Sequence, residues 1–203
     1  MSVHMGKALW LIVFWSVFVW SAVAPHDYFT WFLEVVPALI GFVVLAATHQ
    51  RFRLTGLVYA LVLVHCVILM VGGHYTYAEV PLFDYLRDLV GGERNNYDKL
   101  GHFAQGFVPA MIAREIVIRK RIVNGSWWQA FFVVSFCLAF SAFYELIEWW
   151  VALASGEGAE AFLGMQGYAW DTQSDMAYAL LGAIISVVAL RRIHDKQLRR
   201  FAT

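Results

Sequence analysis

Stretches of about 20 predominantly apolar residues recur along this chain, and no other feature restricts its fold so severely. The hydrocarbon core of a bilayer is about 30 Å thick, which a helix of about 20 apolar residues crosses. Such runs are expected at about 8–24, 29–48, 54–73, 99–118, 127–150 and 172–190. Breakers or charges bound them: Pro25 and Asp27, then Arg51 and Arg53, then Gly72 and Gly73, then Arg119, Lys120 and Arg121. Because the runs are long and do not alternate, they predict helices rather than a barrel. Composition agrees, since a soluble core built from 203 residues could not hide a chain that is 61% hydrophobic and only 15% charged. Secreted, fibrous and disordered classes are excluded on the same ground. The expected fold is all-α: a polytopic membrane bundle of about six transmembrane helices, forming one integral membrane domain over residues 1–203.

Lys and Arg in short loops stay on the cytoplasmic side, which orients the bundle. Lys7, Arg51, Arg53, the Arg119–Lys120–Arg121 cluster and the tail with Arg191, Arg192, Lys196, Arg199 and Arg200 fall on one side. Both termini are therefore expected in the cytoplasm. The stretches near 25–28 and 151–170 contain no Lys or Arg and the 74–98 connection only Arg87 and Arg94, so these three face outward. Trp20, Trp31, Trp149, Trp150 and Trp170 would form the outer aromatic belt, and Trp10, Trp127 and Trp128 the inner one. Lys7 followed by an apolar stretch and Ala22-Val23-Ala24 also fits a cleavable secretory signal, although the run is long and Trp-rich for one. Within the 74–98 connection, Pro81 suits a helix start and Gly91-Gly92 a stop. Leu82, Phe83, Leu86, Leu89 and Val90 alternate there with Asp84, Arg87 and Asp88, which predicts a short amphipathic helix in the outer interface. Cys66 and Cys137 sit inside apolar runs and read as core residues. The net charge of zero leaves no basic field for nucleic acid.

Ionisable groups inside spans are costly, roughly 2.5–3.5 kcal/mol each by insertion scales, so their positions carry information about function. Here they gather at one depth. Asp98 and His102 lie four apart at the outer start of the fourth run, Glu145 and Glu148 three apart at the outer end of the fifth, and Asp171 and Asp175 four apart at the outer start of the sixth. His26, Asp27, Glu34 and His74 lie near the same side. Five carboxylates at one level would repel one another unless a cation joined them. Oxygen-rich ligation with one imidazole suits a divalent metal, Mn, Fe, Zn or Mg, with Asp98, His102, Glu145, Asp171 and Asp175 as ligands. Such an ion would polarise a phosphoryl or carbonyl oxygen or activate water, with Glu148, Glu145 and His102 as the candidate catalytic groups.

Plainer readings exist for each residue alone. Asp98 would serve as a helix cap, and Thr172 with Asp175 resembles a capping box. Glu145 and Glu148 would reach the interface, and His102 would be a satisfied core histidine. Capping, however, explains neither His102 one turn inside nor a glutamate pair at a helix C-terminus, where negative charge opposes the helix dipole. Glu34 and His65 would line an internal cavity or pack as a pair, Arg114 would snorkel to the inner interface, and Gly101 and Gly106 would permit close helix approach.

The segments Gly73-His74-Tyr75-Thr76-Tyr77-Ala78, Tyr97-Asp98-Lys99-Leu100-Gly101-His102-Phe103, Phe143-Tyr144-Glu145, Gly164-Met165-Gln166-Gly167 and Trp170-Asp171-Thr172-Gln173-Ser174-Asp175-Met176 resemble the YjdF-type family of bacterial inner-membrane proteins over most of the chain. At motif level alone, Asp98-Lys99 with His102, then Glu145, then Asp171 with Asp175 is similar to VanZ-like membrane proteins, associated with glycopeptide-antibiotic tolerance. Those chains carry a glutamine where Glu148 stands and an arginine before the first aspartate, which the 151–170 stretch lacks. The resemblance implies a multi-pass protein of the bacterial inner membrane and brings no established reaction with it. The reading that follows is an envelope protein whose outward-facing site binds a divalent metal or polar headgroup and acts on a lipid-linked substrate, with the lipid bilayer as its partner. A small-solute or ion transporter and a non-catalytic scaffold are the alternatives; transport would require a polar route inward, for which only His65 and Arg114 speak.

Overall fold

A computed structural model of the protein describes residues 3–155 and 160–201, so residues 156–159 of the expected 151–170 connection lie outside the described residues. The elements are α1 (Val3–Ala22), α2 (Tyr28–Thr48), α3 (Gly56–Tyr75), α4 (Pro81–Val90), α5 (Tyr97–Arg119), α6 (Ser126–Ser155), α7 (Glu160–Leu163) and α8 (Asp171–Leu198), with a 3-10 turn at Arg199–Phe201. Asp27 opens α2 by accepting a hydrogen bond from the Thr30 N–H at 2.6 Å, which satisfies one of the donors a helix start leaves free. Thr55 opens α3 in the same way through Val58.

Among the described residues, five helices, α1, α2, α3, α6 and α8, are long and apolar enough to cross a membrane. The sixth expected span, 99–118, corresponds to α5, whose 23 residues cover roughly 35 Å. Its composition falls short because it carries Asp98, Lys99, His102, Arg114, Glu115 and Arg119. Burial accounts for this polarity. Helix α5 is the central element, packed against α3, α6 and most extensively α8, and most of its residues are inaccessible. Helix α6 is its opposite: Val133, Cys137, Ser141 and Glu145 form one buried stripe at four-residue spacing. Trp127, Phe131, Trp149 and Leu153 are among the exposed residues of α6, as on a lipid-facing surface, and several residues flanking the stripe are half-buried.

The α5–α8 pairing rests on two glycines. A Cβ at Gly106 would run into the backbone of Ala179, and one at Gly182 into the Phe103 carbonyl, so the helices meet backbone to backbone. Gly101 has a different role, since its bare Cα receives the Tyr77 ring, 2.7 Å from where a Cβ would stand. Phe14, Val35, Val58, Met70, Met111 and Val133 fill the apolar centre.

Helix α4 begins at Pro81 and ends at Gly91, whose φ of 65° closes it in the left-handed region. Phe83 packs on Tyr97, while Leu82, Leu86 and Leu89 are exposed. Of the belt tryptophans, Trp20, Trp127, Trp128, Trp149, Trp150 and Trp170 are exposed. Trp10 and Trp31 turn inward instead, each donating its indole N–H, to the Tyr59 carbonyl at 2.8 Å and the Ser21 hydroxyl at 3.1 Å. The basic segments collect at one end of the bundle: Arg119 donates to the Arg53 carbonyl, and the Gln197 side chain accepts from the Leu57 N–H.

Candidate functional site

At the opposite end from those basic segments, the first turns of α5 and α8 lie beside the last turns of α6. Asp98 and Asp175 line up with His102, whose Nε2 is 3.3 Å from Asp98 Oδ1 and 4.0 Å from Asp175 Oδ1. On its other side, His102 Nδ1 lies 3.2 Å from Gln105 Oε1 and 3.8 Å from Glu145 Oε1. The imidazole therefore stands at the centre, with oxygen on both ring nitrogens. Among the described residues, two sets of side chains offer ligand atoms within 4.8 Å of one another, Asp98 with His102 and Asp175, and His102 with Glu145 and Glu148. Asp171, the fifth expected ligand, belongs to neither set and is held instead by Arg94 at 2.6 Å and Lys99 at 2.7 Å.

Capping does not explain these aspartates. The N-cap position of α5 is Asn96 and that of α8 is Trp170, and neither makes a side-chain cap hydrogen bond. Nor is the cluster outward-facing as expected: Asp98, His102, Glu145, Asp171 and Asp175 are all buried. The segment after α7 covers them. Arg94 donates to the Gly164 and Met165 carbonyls at 3.1 Å, and Gln166 exchanges two hydrogen bonds with the Asn95 backbone. Tyr168 lies across both cations, its ring centre 5.7 Å from the Arg94 guanidinium and 5.9 Å from Lys99 Nζ.

Sequence reasoning overlooked the two cations. Lys99 Nζ bonds Asp175 at 2.6 Å and Asp171 at 2.7 Å, while Arg94 bridges Asp98 and Asp171. The mutual repulsion of the aspartates, taken as a reason to require an added ion, is largely answered within the chain. A signal was present, because Lys99 sits between Asp98 and His102 and Arg94 lies one helical turn before Asp98.

The glutamates are not answered in this way. Glu145 and Glu148 have no Lys or Arg within ion-pair distance among the described residues, and Glu145 Oε1 is buried without a hydrogen-bond partner. Ser141, one turn below on the same helix, has an equally unpartnered hydroxyl. Glu34 of α2 is buried and comes close enough to interact electrostatically with Asp98, His102 and Glu148. His65 of α3 interacts in the same way with His102. The cluster is thus two half-sites sharing one imidazole: a compensated aspartate half and an uncompensated glutamate half.

Arg114 does not reach this cluster. It sits in a second buried network near the basic end, donating to His194 Nδ1 at 2.9 Å and to Asp195 at 2.6 Å. His194 Nε2 faces Glu115 at 3.1 Å, and Glu115 also accepts from the Thr55 N–H and hydroxyl and from Arg119.

The family model described as "Predicted membrane protein (DUF2238)" matches residues 6–196. The "Inner membrane protein YjdF" of Escherichia coli (strain K12) is 53% identical over 185 residues, which cover 91% of this chain and 88% of that protein. No solved structure matches. The chain therefore belongs to the DUF2238 family and is a multi-pass protein of the bacterial inner membrane.

Proposed function

We propose that this member of the DUF2238 family binds one divalent cation between His102, Glu145 and Glu148, with Asp98 and Asp175 as the neighbouring ligand set and Asp171 as their anchor to Arg94 and Lys99. The observation that carries the reading is the buried, unpartnered Oε1 of Glu145, 3.8 Å from His102 Nδ1. A buried carboxylate oxygen without a donor is unfavourable, and a metal ion satisfies it directly. Mn, Fe, Zn and Mg suit this oxygen-rich set.

The function is then action on a lipid-linked group or polar headgroup at the periplasmic face, with both termini in the cytoplasm, α5 as the sixth span and α4 lying in the outer interface. Charge distribution supports this orientation, since Lys and Arg dominate the other end. The ion would polarise a phosphoryl or carbonyl oxygen of the bound group, and the Glu148 oxygen not engaged by the ion would take the proton from an attacking water. Arg94 supplies near Asp98 a guanidinium that would pair with an anionic headgroup, in place of the arginine that the 151–170 stretch lacks. Against transport stands the α5–α8 seam, where Gly106 and Gly182 leave no room for a polar route between those helices.

The test is metal analysis of the purified full chain after chelation and reloading with Mn, Fe, Zn or Mg in turn. One ion should bind per chain in the wild type, with loss in Glu145→Gln and His102→Ala and retention in Glu115→Gln. Equal metal content in all of these variants would overturn the reading.

A further inference from the structure

At the basic end of the bundle, the α2–α3 turn, the end of α5 and the end of α8 enclose an open groove of about 740 Å³. Arg51, Arg119, Lys120, Arg121 and Arg199 line it, with Asp195 as its acidic member. That acid is already engaged, because Arg114 holds it at 2.6 Å from outside the groove lining. Arg119 is equally committed. It bonds Glu115 at 2.8 Å and the Arg53 carbonyl at 2.6 Å, and its guanidinium lies between the rings of Phe52 at 3.8 Å and Phe201 at 4.2 Å. Arg119 thus forms a rigid floor with aromatic walls. The remaining four, Arg51, Lys120, Arg121 and Arg199, have no carboxylate within 4.0 Å among the described residues. Arg121 takes a left-handed backbone with φ 53°, which turns the chain at the end of α5 and keeps both Lys120 and Arg121 on the groove.

Four cations without a carboxylate partner among the described residues, around a concavity with a guanidinium floor and aromatic walls, make a receptor for an anion larger than a simple ion. Arginine forks match phosphate oxygens two at a time, and basic pockets between membrane helices suit acidic headgroups. We infer that this groove binds a phosphate-bearing anion, presented by an anionic phospholipid headgroup of the adjoining leaflet or by a soluble phosphate ester. The site is separate from the glutamate half-site and does not depend on it.

The experiment titrates the full chain in a neutral detergent with dihexanoyl-phosphatidylglycerol, dihexanoyl-phosphatidylcholine and glycerol 3-phosphate. It compares the wild type with Arg51→Gln/Lys120→Gln/Arg199→Gln and with the charge-matched control Arg192→Gln/Lys196→Gln/Arg200→Gln, whose residues lie outside the groove lining. At roughly fivefold per juxtamembrane cation, the groove variant should lose about a hundredfold in affinity for phosphatidylglycerol while the control stays near wild type. Binding of phosphatidylglycerol without glycerol 3-phosphate assigns a lipid source, and equal binding of both assigns a soluble one. If neither anion binds, if phosphatidylcholine binds as well as phosphatidylglycerol, or if both triple variants lose equally, the inference is overturned.

Discussion

Two buried polar networks occupy opposite ends of the bundle, and they differ in how completely their groups are paired. Around Glu115, both carboxylate oxygens accept hydrogen bonds, from Thr55, Arg119 and His194, and Arg114 completes the other face of His194. Around Glu145, one oxygen accepts none, and two more buried carboxyl groups, Glu148 and beyond it Glu34, crowd the same place without a Lys or Arg partner among the described residues. A fully paired buried network ties helices together, here α3, α5 and α8. An incompletely paired one sacrifices stability, and the natural reason for keeping it is a ligand that supplies what the chain does not. Burial and residue type are similar at the two ends; the balance of donors against acceptors separates a strut from a candidate site.

The strongest way to break the comparison is to separate the helices that carry both networks. Gly106→Leu drives a side chain into the Ala179 backbone, and we expect loss of monodisperse protein by size-exclusion chromatography. Next, Glu115→Ala strands His194 and Arg119 and should cost about 3–5 kcal/mol in detergent unfolding. Glu145→Gln, equally buried, should change stability by less than about 1 kcal/mol, because it relieves repulsion while leaving no new group unpaired. A similar cost for both would erase the distinction. Lys99→Met exposes the repulsion between Asp171 and Asp175 and should cost about 2–3 kcal/mol. Adding Asp175→Asn should recover part of that loss in a double-mutant cycle.

A modest effect at the start of α2 sharpens the contrast between an aspartate that caps and those that do not. Thr30 donates to Asp27 from its backbone and holds the carboxyl below its ordinary value of 3.8. A depressed carboxyl stabilises the fold above its unfolded value, and that contribution disappears as pH falls through the lower folded value. Asp27→Ala should cost about 1 kcal/mol at neutral pH, a gap that closes as the pH is taken below 3.8. Asp27→Asn should keep the cap and flatten the pH dependence of that increment in acid unfolding curves.

Much of this was legible in the residues. Apolar length located the helices, and helical spacing brought Asp98, His102, Glu145 and Asp175 to one level. Misreadings came from what one-dimensional hydropathy leaves out. Helix α5 falls below a membrane threshold because its polar groups face other helices instead of lipid. Helix α8 continues beyond 190 to Leu198 because His194 and Gln197 find partners across the bundle, at Glu115 and Leu57, which no local pattern announces. Cation placement was the largest gap. In the sequence Arg94 reads as a charge of the outer connection and Lys99 only as part of a motif, whereas their pairing with Asp171 depends on how two helices dock. Enclosure of the site by Gly164–Tyr168 was invisible for the same reason.

The backbone contact at Gly106 and Gly182 has a mechanical consequence. With no side chains interleaved there, α5 and α8 have no rotamers with which to absorb sliding, so the pair transmits displacement as a single beam. A push on Arg114 should therefore reach His102, twelve residues or about three helical turns away along α5, unless the glycine contact itself is unlocked.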